Sequence, residues 1–134
     1  MARRAECYVD TSAFIAFLDR SDSFHALFRR LLSSCPPLVT SGLVIAEGHG
    51  WFLRRYDEQR ASQFLGFIDS LSVLWVKPFS TPELTGLTPV LRRFADQKLT
   101  LADAHGLSIM KDLMIVSCWS TDNHLGLTGV PLAI

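Results

Sequence analysis

Charge is scarce in this chain, and it cancels. Thirteen Lys and Arg stand against thirteen Asp and Glu in 134 residues, so only 19% of the chain is charged and the formal net charge is zero. No global basic field advertises nucleic-acid binding. Any such contact must come from local clusters such as Arg29-Arg30, Arg54-Arg55 or Arg92-Arg93, each of which reads equally well as a solvated helix face. Cysteine is sparse too: Cys7, Cys35 and Cys118 are odd in number and scattered, with neither a disulfide framework nor a zinc spacing. That favours a reducing compartment, with Cys7 and Cys118 as buried thiols in apolar runs. No apolar run reaches the length of a membrane span. Asp10 interrupts the stretch behind Arg3-Arg4 too early for a signal peptide. The expectation is a cytoplasmic protein without membrane association. Linkers, repeats and low-complexity segments are also missing, so residues 1–134 are expected to form one domain.

What is abundant is apolar side chain, at 49% of the residues. The mean hydropathy of +0.24 leaves little room for disorder and favours an apolar patch used in association. Apolar runs at 6–9, 38–40, 73–76 and 115–119 read as strands, the first of them buried, and 131–134 as a short last one. Between them, helices are expected over 12–18, 21–32, 41–56, 58–71, 81–94 and from Thr100 or Ala102 to Leu113. Gly48 and Gly50 weaken the third of these, and Gly86 with Pro89 the fifth. Strands alternating with helices predict an α/β fold with a parallel sheet covered on both faces.

Four carboxylates stand where these apolar elements meet turns or open helices. Asp10 closes Cys7-Tyr8-Val9 and is followed by Thr11-Ser12; Asp122 follows the run ending in Trp119, within Ser120-Thr121-Asp122-Asn123. Glu47 and Asp103 lie in the apolar segments Leu43-Val44-Ile45-Ala46 and Leu99-Thr100-Leu101-Ala102. Parallel α/β sheets bind ligands beyond the carboxyl ends of their strands, so the four can meet in one crevice. Clustered carboxylates cannot all stay ionised without compensation. An oxygen-seeking dication such as Mg²⁺ or Mn²⁺ supplies it, and such an ion can promote attack of water on a phosphodiester. A nucleophile elbow, a phosphate-binding glycine loop and a zinc-binding His pair are all missing. A phosphoacceptor receiver or an aspartyl phosphatase fits poorly, since Thr11 and Ser12 stand where either would need a second acid.

Five segments together resemble PIN-domain ribonucleases, most closely the VapC-type toxins of toxin–antitoxin pairs. They are Tyr8 to Phe14, Leu18 to His25, Thr40 to Glu47, Asp96 to Ala104 and Ser120 to Leu125, with Gly129-Val130-Pro131 closing the chain. Each is short; their order and spacing carry the likeness. The resemblance implies a three-layer α/β/α sandwich with a five-stranded parallel sheet of order 3-2-1-4-5. It implies Mg²⁺- or Mn²⁺-dependent endoribonuclease activity, with Asp10, Glu47, Asp103 and Asp122 as catalytic and metal-binding residues. It further implies an RNA substrate, a cognate antitoxin and a homodimer. A non-catalytic RNA- or protein-binding module of the same fold is the alternative.

Thr11, Ser12, Thr121 and Asp96 are candidate supporting residues, although helix capping explains the hydroxyls and Asp96 equally well. The histidines, of which His105 is the most interesting, read first as ordinary polar positions. Trp51, Trp75 and Trp119 read as core or interface aromatics rather than base-stacking platforms. Trp51, Phe52, Phe64 and Phe67 are candidates for a dimer contact or for the core.

Overall fold

The computed structural model describes residues 4–134. Its centre is β1 (Cys7–Val9), every residue of which is buried. Parallel partners flank it: β2 (Leu38–Ser41) on one side and β4 (Ser117–Trp119) on the other, with β3 (Leu74–Lys77) outside β2. The sheet order is therefore β3-β2-β1-β4. Near-continuous apolar sequence in β1 and β2 follows from this placement, because a strand covered on both faces has no side to give to water.

The connections are α1 (Thr11–Leu18), α2 (His25–Ser33), α3 (Gly42–Arg55), α4 (Glu58–Ser70), α5 (Thr81–Arg93) and α6 (Leu101–Asp112). Right-handed crossovers put the β1-to-β3 connections on one face of the sheet and the β3-to-β4 connection on the other. One core links the layers, with Tyr8, Phe14, Val39, Phe52, Phe64, Met110 and Leu125 fully buried or nearly so. Phe64 packs edge-on to Phe14 and stacks on Phe52, tying α4 to α1 and α3. No helix among the described residues is long and apolar enough to cross a membrane.

The structure corrects several expectations. Among the described residues the sheet has four strands, not five: the segment expected over 131–134 makes a single parallel bridge, Leu132 to Cys118. Pro131 has no N–H to donate, so the pairing is limited to Cys118 N–H on Pro131 O and Ala133 N–H on Cys118 O, both at 2.9 Å. Strand β4 starts at Ser117 rather than Ile115, three residues after Met114, which takes a left-handed φ of 54°. Helix α2 begins at His25, not Ser21, since Asp19 and Asp22 fold residues 19–25 into turns through backbone and side-chain bonds. Helix α5 continues through Pro89 on an exposed surface, anchored at its start by the Ser80–Glu83 capping box and Pro82 in its first turn. Phe52 and Phe64 are core residues, 2% and 1% exposed, which removes them as dimer contacts.

Candidate active site

Strand register builds the site. Val9 pairs with Trp119, so the next residue on each strand, Asp10 and Ser120, emerge side by side at the carboxyl end of the sheet. Ser120 Oγ donates to Asp10 Oδ2 at 3.1 Å, and Ser12 Oγ, in the first turn of α1, donates to the same oxygen at 2.9 Å. The Thr121 backbone N–H donates to Ser12 Oγ at 3.0 Å, which fixes that hydroxyl across the β1–β4 seam. Asp10 is 6% exposed. Burial raises its carboxyl to about 6; hydrogen bonds from Ser12, the Thr11 backbone and Ser120 oppose the rise, and the Asp103 carboxylate adds to it.

Each of the other three carboxylates has its own local holder. Asp103 sits at the third position of α6 in a capping box with Thr100: Thr100 N–H donates to Asp103 Oδ2 and Asp103 N–H to Thr100 Oγ1, both at 3.1 Å. Asp122 follows β4 and opens a 3₁₀ turn (Asn123–Gly126), accepting His124 N–H at 2.9 Å while its own N–H donates to Ser120 Oγ at 2.8 Å. Glu47 lies on the second turn of α3 and is exposed, and Thr11 Oγ1 donates to its Oε1 at 2.6 Å. Thr11 thereby links the rim carboxylate to the backbone beside Asp10.

Asp103, Asp122 and His124 form the tightest group, with one ligand atom from each lying within 4.8 Å of the others. Asp10 adds a buried carboxylate close enough to Asp103 to be raised by its charge. Such a set of oxygen donors beside one imidazole fits a divalent cation, since few other partners balance carboxylates at this density.

Among the expected supporting residues, Thr11 and Ser12 act through their hydroxyls and Thr121 through its backbone N–H. Asp96 stays apart, exposed on a 3₁₀ turn (Ala95–Gln97) where it accepts the Gln97 side-chain amide. Two participants escaped the sequence reading. Ser120 had a usable signal, because it follows β4 as Asp10 follows β1. His124 had only its spacing of two from Asp122. His105, the more tempting histidine, is buried against Ser41 Oγ at 2.6 Å and edge-on to Phe79. Burial lowers its pKa, Glu83 opposing and Lys77 reinforcing the shift. Its role is to join α6 to the cap of α3.

Comparison with known proteins agrees with this fold. Two of the solved structures that match this chain superpose over most of it. One is VapC20 of Mycobacterium tuberculosis, a sarcin–ricin loop cleaving toxin, at 23% identity and a TM-score of 0.84, covering 93% of this chain and 96% of the toxin. The other is PAE2754 from Pyrobaculum aerophilum, at 21% identity and a TM-score of 0.63, covering 93% and 85%. No curated protein sequence gives a significant match. At such identities the likenesses speak for the fold alone. The sequence profile of the PIN domain matches residues 7–125, a span that begins with β1 and ends just past Asp122 and His124, and the chain therefore belongs to the PIN-domain family.

Proposed function

We propose that this protein is a metal-dependent endoribonuclease acting as the toxin of a toxin–antitoxin pair in the cytoplasm. The observation that carries the reading is the convergence of Asp10, Asp103 and Asp122, from three separate segments, at the carboxyl end of the sheet, with Glu47 tied to its rim by Thr11. Asp10, Asp103, Asp122 and Glu47 are the residues to hold Mg²⁺ or Mn²⁺, which when bound supplies positive charge to the scissile phosphate and an acidified water. Ser12 and Ser120 keep Asp10 oriented with one oxygen toward the hydroxyls. The Thr100 capping box fixes Asp103 at the first turn of α6, and the turn after Ser120 presents Asp122. Each of these holders is a hydrogen bond made within the chain itself, which favours carboxylates oriented before substrate arrives.

RNA is the substrate class this reading requires. A sarcin–ricin loop RNA is the first to test, because the similar toxin cleaves that element. An acidic pocket on a neutral protein also suits inhibition by a partner's Arg or Lys, the role assigned here to an antitoxin. Homodimerisation belongs to the same reading.

The test is cleavage of a structured RNA by the purified chain with Mg²⁺ or Mn²⁺, against EDTA and against Asp10→Asn. Cutting that requires the ion and falls at least a hundredfold in Asp10→Asn is expected, on the scale of losing about 3 kcal/mol of electrostatic stabilisation. Full activity in EDTA would refute the mechanism. RNA binding without cleavage under every condition would favour a non-catalytic module.

A further inference from the structure

We propose that His124 is itself a metal ligand, giving this site a nitrogen donor and a preference for a first-row transition dication over Mg²⁺. The inference rests on the nuclease reading for the ion's purpose but on its own geometry for the ligand. His124 Nδ1 lies 3.2 Å from Asp122 Oδ1 and 3.5 Å from Asp103 Oδ2. Octahedral ligands at about 2.1 Å from an ion are about 3 Å apart when adjacent and about 4.2 Å when opposite. One ligand atom from each of Asp103, Asp122 and His124 lies within 4.8 Å of the others, a spacing that suits a single ion.

The ring is aimed by the chain rather than left to drift. Ser120 Oγ takes the Asp122 N–H, Asp122 Oδ1 takes the His124 N–H, and the next residue, Leu125, is buried completely in the core. Half-exposure of the His124 side chain, at 34%, leaves the outer side of such an ion open to water and phosphate oxygens, while Asp103 closes the inner side at 10%. Donor chemistry then sets the preference. Mg²⁺ favours oxygen ligands and sheds water reluctantly, whereas imidazole suits transition ions. A ring that only donated a hydrogen bond to the carboxylates would also satisfy these distances, and it would leave an all-oxygen site.

Pulsed EPR of the full chain loaded with Mn²⁺ separates the two. The wild type is expected to show hyperfine coupling to a directly bound nitrogen. In His124→Phe the coupling should vanish and Mn²⁺ affinity fall about tenfold or more, the scale on which even outer partners of a ligand act. Mg²⁺ affinity should change less. His124→Asn, which offers an amide oxygen near the place of Nδ1, should bind Mn²⁺ more nearly like wild type yet show no nitrogen. Circular dichroism checks that each variant is folded. An oxygen-only Mn²⁺ spectrum in the wild type, or nitrogen coupling that survives in both variants, overturns the inference. Those results in a protein that still cuts RNA leave the nuclease reading standing; nitrogen-bound Mn²⁺ in a protein that never cuts RNA supports the ligand and sinks the nuclease.

Discussion

Asp10 is a carboxyl that the fold holds where water scarcely reaches, between two serine hydroxyls and within the field of Asp103. Its pKa of about 6 against an ordinary value of 3.8 means that the metal-free folded chain keeps a proton the unfolded chain has already released. Stability should therefore fall as pH rises from about 4 to about 6 and level off above, by up to about 3 kcal/mol for this group alone. Asp10→Asn removes the charge and keeps the shape. In EDTA at pH 8 it should melt above the wild type, whereas near pH 4 the two should nearly coincide. Denaturant titration at both pH values checks this. A variant less stable than wild type at both would mean that the serine bonds need a carboxylate more than the fold suffers from its charge. The sequence showed this residue and the nearby Ser12 through their place after an apolar run, but not the partner Ser120, because the pairing of Asp10 with Ser120 depends on strand register.

At the scale of elements, α3 carries a sequence feature that the structure reinterprets. Gly48 and Gly50 look like two equal weaknesses in a helix that positions Glu47. A Cβ on Gly48 would lie 2.4 Å from the Phe64 ring, which is buried, so α3 and α4 pack this closely only because that side chain is absent. A Cβ on Gly50 would meet only the mobile end of Arg54, at 3.0 Å. Opposite signs follow. Gly50→Ala should stabilise by about 0.5–1 kcal/mol through helix propensity. Gly48→Ala should lose by overpacking about 1–3 kcal/mol, more than propensity returns. The cap of the same helix gives another contrast. Ser41 Oγ serves both Leu43 N–H and His105 Nδ1, so Ser41→Ala strips a cap and orphans a buried imidazole nitrogen at once. Its cost should reach about 2–4 kcal/mol in thermal or chemical unfolding, above that of an ordinary cap. Periodicity revealed that α3 and α4 exist. It could not reveal that one glycine is a contact and the other a spare, since that depends on which helix lies alongside.

Over the whole molecule, strand and helix alternation was enough for a parallel α/β fold, and the family likeness supplied the order in which β3, β2, β1 and β4 lie. The last segment looked like a strand because Leu132, Ala133 and Ile134 are apolar, yet only a bridge forms there. That bridge still matters, because it covers the outer edge of β4, the strand that delivers Ser120 and Asp122 to the site. Leu132 also lies against Gly126, the last residue of the turn that carries His124. Cys118 reports on the cover: its side chain is wholly buried, and burial pushes its thiol far above the ordinary range, so it should resist labelling in the native protein while the less buried Cys35 reacts first. Leu132→Asp places a charge where the bridge packs on the core and should cost about 2–3 kcal/mol. Timed thiol labelling read by peptide mass spectrometry should then find Cys118 modified early, with Cys7, inside β1, still slow. Mn²⁺ affinity should weaken in step, because the turn presenting Asp122 and His124 loses its backing. Cys118 labelling at the wild-type rate in a measurably destabilised variant would show that the four-stranded sheet protects its own edge and that the closing segment is dispensable to the site.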